Sequence, residues 1–229
     1  GLFATALNAG IYLPELPRVI PAFHHADHIS GLGALLQRWP DLAIHAPDDL
    51  RIGNATHRVT DGEFVVAGDW RFEVIEVPGH TRSHLAFHGS GIDGGVLFCG
   101  DTLFSLGCGR LFEGTPAQML DSLDRLAALP GPTQVCCTHE YTLSNAAFAL
   151  TVDPDNIALR RRAEEVRSRR SASQPTLPST LALEAATNPF MRCDTDAIRG
   201  AIAERLGRAP ADRIDTFAEL RRWKDGFRG

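Results

Sequence analysis

The sequence has little that would place the protein in a membrane, outside the cell or on a nucleic acid. No apolar run approaches the roughly 18 residues that a transmembrane helix needs. The opening residues lack the basic region and the small-residue cleavage site of an export signal. Lysine and arginine total 23 against 28 aspartates and glutamates, and the net charge of -5 disfavours polyanionic partners. We therefore expect a soluble, cytoplasmic protein that binds neither nucleic acid nor membrane.

Cysteines are few and poorly arranged for a structural role. The chain has five, an odd number that includes an adjacent pair and shows no C-x-x-C spacing. This pattern excludes a disulfide-stapled miniprotein, and reduced cytosolic thiols are its simplest interpretation. With 229 residues, 44% of them apolar, the chain can instead form a full hydrophobic core, with or without a smaller appendage.

Two kinds of pattern divide the chain. Short apolar runs between Gly-rich turns predict strands at 64–66, 70–77, 85–88, 96–99 and 134–137. Amphipathic patterns predict helices at 31–39 and 116–129 among them, as in a layered α/β domain over residues 1–152. After about residue 152 we expect only helices, at 156–170, 195–206 and 211–223, which would form a small helical domain over residues 153–229.

Residues 24–28, with the sequence HHADH, place three imidazoles and one carboxylate within five positions. On a loop at the end of a strand, His25, Asp27 and His28 can converge on one point, whereas on a helix they would diverge. Imidazole and carboxylate ligands suit zinc or iron. The alternative interpretation is a polar loop with histidines present by chance.

Three further polar residues each follow a predicted strand. His80 stands in Pro-Gly-His-Thr, Asp101 in Gly-Asp-Thr and His139 in Thr-His-Glu-Tyr. Each alone could simply cap a loop, but their common position suggests that they meet the HHADH segment at one edge of a sheet. His84 is a candidate for indirect support of this site.

The order of these motifs resembles the metallo-β-lactamase superfamily, whose αββα sandwich holds two metal ions at the edge of its strands. Within that superfamily, CGDTLFSLGCGRLFEGTPAQM (99–119), HEYTLSNAAFAL (139–150) and NPFMRC (188–193) are similar to glyoxalase II, the hydroxyacylglutathione hydrolases. The likeness runs from about His24 to the end of the chain. The helical tail fits the C-terminal domain of that family.

The resemblance implies two divalent metal ions, most often zinc, with iron and manganese as alternatives. It makes His25, His80 and Asp101 ligands of one ion, and Asp27, His28, His139 and the shared Asp101 ligands of the other. Asp101 would bridge the ions, and Asp27 would orient the attacking hydroxide, so these two residues are the catalytic candidates. The ions would generate that hydroxide at neutral pH and stabilise the developing oxyanion.

The implied reaction is hydrolysis of S-(2-hydroxyacyl)glutathione, such as S-lactoylglutathione, in methylglyoxal detoxification by a monomer. The residues carried over as substrate contacts are Arg110, Phe112, Tyr141, Arg221 and Lys224. Phe112 stands where the family often has tyrosine, so one hydrogen bond to the substrate would be missing. Arg221 and Lys224 lie three positions apart on a predicted helix, and without the resemblance they could equally serve only the negative end of its dipole.

The chain departs from the family motif at its front. The family has Thr-His-x-His-x-Asp-His, and here Ala22 stands in place of the threonine and Phe23 in place of the first ligand histidine. We expect weakened metal occupancy at the His25/His80 site, unless a shifted register lets His24 serve. Prolines in the first 22 residues also stand where strands normally open the fold, so this part is either incomplete or divergent.

Two other functions compete with the hydrolase. A degenerate glutathione- or metal-binding protein would explain Phe23 and the unusual opening. A mononuclear iron sulfur dioxygenase shares the scaffold but lacks the helical tail that bears Arg221 and Lys224.

Overall fold

A computed structural model of the chain describes residues 18–67, 69–91 and 94–228. The strands are β1 (Arg18–Val19), β2 (Ala43–Ala46), β3 (His57–Arg58), β4 (Phe64–Ala67), β5 (Trp70–Glu76), β6 (Leu85–Gly89), β7 (Val96–Phe98), β8 (Leu103–Phe104), β9 (Gly107–Cys108), β10 (Gln134–Cys136) and β11 (Ser179–Thr180). The helices are α1 (Ala26–Ile29), α2 (Leu32–Arg38), α3 (Pro116–Ala127), α4 (Thr142–Val152), α5 (Ile157–Ser171), α6 (Leu181–Thr187), α7 (Asp196–Leu206) and α8 (Arg213–Asp225), with a 3-10 turn at Pro189–Met191. None of the helices in the described ranges is long and apolar enough to cross a bilayer.

The strands form two packed sheets and one hairpin. The larger sheet has the order β11-β10-β7-β6-β5-β4, in which β10 and β7 are parallel and the other pairs antiparallel. The smaller sheet, β1-β2-β3, is parallel, and β8 pairs with β9. The five predicted strands are confirmed to within one residue at each end. The expected mixture of strands and helices is also confirmed.

Three clusters of buried apolar side chains correspond to the layers of the fold. One includes Leu35 of α2 and Ile44 of β2, and so joins the first helices to the smaller sheet. A second includes Val59 and Phe87, and so fills the space between the two sheets. The largest packs the other face of the larger sheet against helices and draws on residues before and after 152. The layers are those of an αββα sandwich.

Two short strands were not predicted. We expected the first 22 residues to lack the strand pairs that normally open the fold; residues 1–17 lie outside the described residues, and Arg18–Val19 pairs in parallel with Ala43 and Ile44. We expected only helices after residue 152, and this is wrong, because Ser179 and Thr180 pair with β10. Strands of two residues are too short to show the alternation by which strands are recognised.

The five cysteines are unpaired, as the prediction of reduced thiols requires. Burial raises the pKa of each thiol for which a change is resolved, for example that of Cys108 to about 11. A high thiol pKa disfavours the thiolate, so these side chains act as packing groups.

The β8–β9 hairpin is held in place by one buried carboxylate of the helical region. Glu184, on α6, is fully buried. It accepts hydrogen bonds from the Ser105 hydroxyl at 2.9 Å and the Leu106 N–H at 2.8 Å. The Asn188 side chain donates to Glu184 at 3.1 Å and to the carbonyls of Phe104 and Gly107 at 3.1 and 2.9 Å. Glu184 and Asn188 therefore replace the neighbouring strands that this hairpin lacks.

We expect Glu184→Ala to lower the free energy of unfolding by about 2–4 kcal/mol, because the Ser105 hydroxyl and the Leu106 N–H would be left buried without an acceptor. Urea denaturation measures the change. Glu164→Ala is the matched control, since this exposed glutamate on α5 forms a surface ion pair with Arg167, and it should change stability by no more than about 0.5 kcal/mol. Equal effects of the two substitutions would contradict the role of Glu184.

After the hairpin, the chain passes very close to the loop that follows β7. The N–H of Gly109 donates to the carbonyl of Thr102 at 3.1 Å. A Cβ atom at Gly109 would overlap the carbonyl oxygen of Asp101 and lie 3.2 Å from Nδ1 of His80. Only glycine allows this close approach.

Gly109→Ala should therefore destabilise the protein by about 1–3 kcal/mol or more, since the backbone must move to remove the overlap. Gly200→Ala is the control: Gly200 lies within α7, and no atom lies within 4 Å of the position that a methyl group would take there. Alanine at that position should stabilise the protein by about 0.5–1 kcal/mol. Thermal unfolding compares the two variants. A neutral Gly109→Ala would show that the close approach imposes no constraint.

Candidate metal centre

Four segments of the chain meet at one edge of the sandwich. His25 precedes α1, and Asp27 and His28 lie on it. The other three residues follow strands β5, β7 and β10, as predicted for His80, Asp101 and His139. Each of these three residues lies on a loop at a strand end, and the sheet order brings β5, β6, β7 and β10 together.

Asp101 divides its two carboxylate oxygens between two groups of imidazoles. Its Oδ1 lies 3.4 Å from Nε2 of His28 and 3.6 Å from Nε2 of His139. Its Oδ2 lies 3.5 Å from Nε2 of His80, which in turn lies 3.2 Å from Nδ1 of His25. Asp27 joins the first group, with Oδ2 3.5 Å from His28 and 3.4 Å from His139. All six predicted ligand residues are thus brought together.

The possible ligand atoms form two sets that share Asp101. The four-donor set is Asp27, His28, His139 and Oδ1 of Asp101. The three-donor set is His25, His80 and Oδ2 of Asp101. The ligand atoms of Asp27, His28 and His139 all lie within 4.8 Å of one another.

Hydrogen bonds from the surrounding backbone and side chains hold Asp101. Its N–H donates to Nε2 of the fully buried His84 at 3.1 Å. The Thr138 hydroxyl donates to Oδ1 of Asp101 at 2.5 Å and lies 3.1 Å from the carbonyl of Gly100. His84, which sequence reasoning offered only as indirect support, fixes the backbone of the shared carboxylate. Thr138 links the β7 and β10 loops directly.

His80 is oriented in the same manner. Its Nδ1 lies 2.9 Å from the carbonyl of Arg110, so that nitrogen carries the proton and Nε2 faces Asp101. The backbone N–H of Phe112 also donates to the carbonyl of His80 at 3.3 Å. The loop that follows β9 therefore sets both the position and the tautomer of His80.

The segment around His25 differs from the loop that we expected. Residues 26–29 form one helical turn, in which the N–H groups of His28 and Ile29 both donate to the carbonyl of His25. His25, still extended, turns toward His80, whereas Asp27 and His28 face His139. The expected loop is therefore wrong for residues 26–29, but the divergence that a longer helix would cause does not occur because the helix is a single turn and His25 lies outside it.

His24 does not join the cluster. Its Nδ1 lies 3.2 Å from Asp49 and its Nε2 lies 3.8 Å from Glu113. Arg51 binds the same two carboxylates, and its hydrogen bonds hold the pKa of Asp49 below its usual range and lower that of Glu113 to about 2. The shifted register, in which His24 would serve as a ligand, is therefore wrong.

The electrostatics favour neutral imidazoles and a bound cation. Burial lowers the pKa of His28 and His80, although the Asp101 carboxylate acts in the opposite direction. Neutral imidazole is the form that ligates metals. Nε2 of His28 is buried without a hydrogen-bond partner, between two carboxylates. A divalent cation would satisfy this atom and both carboxylates, so the residues present fit a metal ion.

Two aromatic side chains border the cluster. Tyr141 stacks on His139 with ring centroids 5.0 Å apart and a 15° angle between planes. Phe112 is 62% exposed and lies edge-on to His80 and His25, at 5.2 and 5.5 Å. Both predicted substrate residues are therefore next to the candidate metal ligands, and their exposed surfaces can contact a bound molecule.

The three predicted cationic residues differ in their exposure to solvent and in their hydrogen-bond and ion-pair partners. The Arg110 side chain is 64% exposed, with Nε 3.7 Å from Asp225. Arg221 is buried, and its guanidinium donates to the carbonyl of Cys108 at 2.9 Å and pairs with Asp225. Lys224 donates to the carbonyl of Ser144 at 3.2 Å. Burial, together with the charges of Arg221 and Arg110, lowers the pKa of Lys224 to about 8.

Sequence reasoning missed two carboxylates that support the site from the helical region. Glu184 holds the hairpin between Asp101 and Arg110. Glu140, next to His139, accepts hydrogen bonds from the N–H and hydroxyl of Thr176 at 2.8 and 2.6 Å. A single glutamate in a helix or loop carries no pattern of its own. Glu184 is recognisable by its burial in the folded chain, and the exposed Glu140 by its hydrogen bonds to Thr176 of the helical region.

Family models match nearly all of the described chain. The metallo-β-lactamase superfamily matches residues 24–139, and the hydroxyacylglutathione hydrolase C-terminus matches residues 140–227. Two solved structures share the fold. ETHE1 from Myxococcus xanthus has a TM-score of 0.59 and 24% identity, covering 98% of this chain and 75% of its own. The BLEG-1 B3 metallo-β-lactamase has a TM-score of 0.58 and 20% identity, covering 82% and 84%.

Curated relatives are much closer in sequence. The hydroxyacylglutathione hydrolase of Xanthomonas axonopodis pv. citri (strain 306) is 58% identical over 210 residues, which are 92% of this chain and 81% of that protein. The hydroxyacylglutathione hydrolase of Xylella fastidiosa (strain 9a5c) is 54% identical over 209 residues, 91% of this chain and 80% of that protein. The chain therefore belongs to the hydroxyacylglutathione hydrolase family of the metallo-β-lactamase superfamily.

Proposed function

We propose that the protein hydrolyses the thioester of S-(2-hydroxyacyl)glutathione, S-lactoylglutathione being the test substrate, to glutathione and a 2-hydroxy acid. The observation that carries the proposal is the division of the Asp101 carboxylate between two groups of imidazoles. The match of residues 140–227 to the hydroxyacylglutathione hydrolase C-terminus favours this reaction over an iron sulfur dioxygenase or a degenerate binder.

Divalent ions, which we expect to be zinc and to number two when the centre is full, would supply water activated at neutral pH and a Lewis acid for the thioester carbonyl. Asp27, His28 and His139 would hold one ion, His25 and His80 the other, and Asp101 both. Asp27, whose side chain is 59% exposed, would also accept a hydrogen bond from the attacking water. The leaving thiol has a pKa of about 8.5, so its departure needs little help from an acid.

The carboxylates of glutathione need fixed cations. We assign this role to Arg110, whose carbonyl faces His80, and to Lys224, whose pKa is lowered in part by the charge of Arg110. Tyr141 and Phe112 would flank the acyl and thioester groups. Arg221, with its donors used by Cys108 and Asp225, would act by holding the loop that carries Arg110. We propose that residues 153–229 form the helical unit that supplies Arg221 and Lys224.

The proposed setting is methylglyoxal detoxification in the cytoplasm. It is supported by the unpaired cysteines, which suit a reducing compartment. The monomer expected from the sequence stays a prediction.

Loss of absorbance of the thioester of S-lactoylglutathione tests the reaction. We expect turnover by the zinc-loaded protein and a loss of at least about 100-fold in kcat/KM for Asp101→Asn, which removes the shared negative ligand. Asp121→Asn, an exposed residue of α3, is the matched control and should retain full activity. Oxygen consumption with a glutathione persulfide, without thioester hydrolysis, would contradict the proposal.

The pKa of Lys224 predicts how substrate binding depends on pH. The ammonium is charged below about pH 8 and loses its proton above it, while the substrate carboxylates stay ionised. KM should therefore be constant up to about pH 7 and rise by about tenfold by pH 9.5, with kcat little changed. Lys224→Arg keeps its charge over this range and should abolish the rise. A KM that rises equally in Lys224→Arg would show that another group titrates.

A further inference from the structure

The two donor sets that share Asp101 differ in their number of possible ligand atoms. In the four-donor set, Nε2 of each of the two imidazoles lies 3.4–3.6 Å from an oxygen of each of the two carboxylates. The three-donor set has only two imidazoles and one carboxylate oxygen. Its imidazoles of His25 and His80 also lie 3.2 Å apart and can hydrogen-bond to each other. An ion bound there would have to break that contact.

A hydrocarbon ring stands beside the three-donor set. Phe23 is fully buried, with its ring centroid 5.0 Å from that of His25 and 5.2 Å from that of His80, edge-on to both. It also lies 4.1 Å from the ring of His28 and stacks on His84 at 4.5 Å. A phenyl ring has no lone pair for a metal, so it fills space among four imidazoles without adding a ligand.

Neither neighbouring histidine can make up the loss. The ring of His24 lies 4.9 Å from that of His25, but its Nδ1 faces Asp49 and its Nε2 faces Glu113. His84 already accepts the N–H of Asp101 through Nε2, and its Nδ1 lies 3.3 Å from the Thr102 hydroxyl. Within the described ranges of the chain, the three-donor set therefore has no fourth side-chain ligand at hand.

We infer that this chain holds one divalent ion tightly, in the four-donor set, and a second only weakly, in the three-donor set beside Phe23. The inference rests on the proposed metal centre and extends it. Three protein ligands can hold zinc when water completes the coordination, so the second ion is weakened and not excluded. Loss of a supporting residue alone costs about 10–100-fold in metal affinity, and a missing ligand should cost at least about 100-fold.

Zinc titration of the apoprotein tests this inference without measuring catalysis. Protein stripped by a chelator would be loaded with excess Zn²⁺, passed through metal-free gel filtration and analysed for zinc by mass spectrometry. The expected result is about one retained ion per chain in the unmodified protein and about two in Phe23→His. Competition with a chromophoric chelator should show a second ion at least about 100-fold weaker than the first.

Matched variants assign the ions to their sets. Phe23→Leu should still retain about one ion, because leucine also lacks a ligand atom. His139→Ala should release the retained ion, and His80→Ala should leave it in place. Circular dichroism checks that each variant is folded. Should Phe23→His fail to fold, electron paramagnetic resonance of the unmodified protein with one equivalent of Mn²⁺ gives the same answer, since we expect an isolated ion and no coupled pair.

Two results would overturn the inference, and only the second would also contradict the proposed metal centre. Two ions of equal affinity in the unmodified protein would overturn the inequality alone and leave the proposed centre intact. No retained ion in any variant would overturn the proposed centre as well.

Discussion

The arrangement of the site depends on one carboxylate that serves two groups of imidazoles. Asp101 lies between His28 and His139 on one side and His80 on the other. The Asp101 carboxylate can accept few hydrogen bonds from these imidazoles, because each neutral imidazole has only one N–H to donate. Other hydrogen bonds hold Asp101 in this position: His84 binds its backbone N–H, and the Thr138 hydroxyl binds its side chain. The centre is thus preorganised for cations.

The helical region contributes to that preorganisation from a distance. Glu184 and Asn188 bind the β8–β9 hairpin through its backbone, and Arg221 binds the carbonyl of Cys108 at the end of the hairpin. The next residues pass over Asp101 and orient His80 through the carbonyl of Arg110. A continuous series of hydrogen bonds therefore runs from α6 and α8 to a metal ligand. It explains how the helical region, although distant along the chain, can set the geometry of the centre.

Features that depend on neighbouring residues in the sequence could be predicted, whereas features that depend on contacts between distant residues could not. Strands of the larger sheet were predictable because residues such as Phe72 and Val74 alternate with polar neighbours. The residues of the candidate centre were predictable because His80, Asp101 and His139 all follow strands and because the order of the motifs resembles a known family, although each residue alone could simply cap a loop. Helix α4 was missed because Thr142–Val152 is apolar on most of its surface and shows no polar stripe. Glu184 and the hairpin were missed because each owes its place to the other, across 78 positions of the chain.

Exposure around the centre also indicates from which side a substrate arrives. His80 and Phe23 are buried, whereas the side chains of Asp27 and His139 are 59% and 27% exposed. Tyr141 and Arg110 are exposed as well, and the ring of Tyr141 stacks on that of His139. Both groups of imidazoles therefore have exposed neighbours, Asp27 and Tyr141 for one group and Phe112 for the other. The fully buried Phe23 contacts His25 and His80 from the protein interior. Such an apolar contact lowers the local dielectric constant and strengthens the field of nearby charges, but its phenyl ring offers no ligand atom to an ion held by His25 and His80.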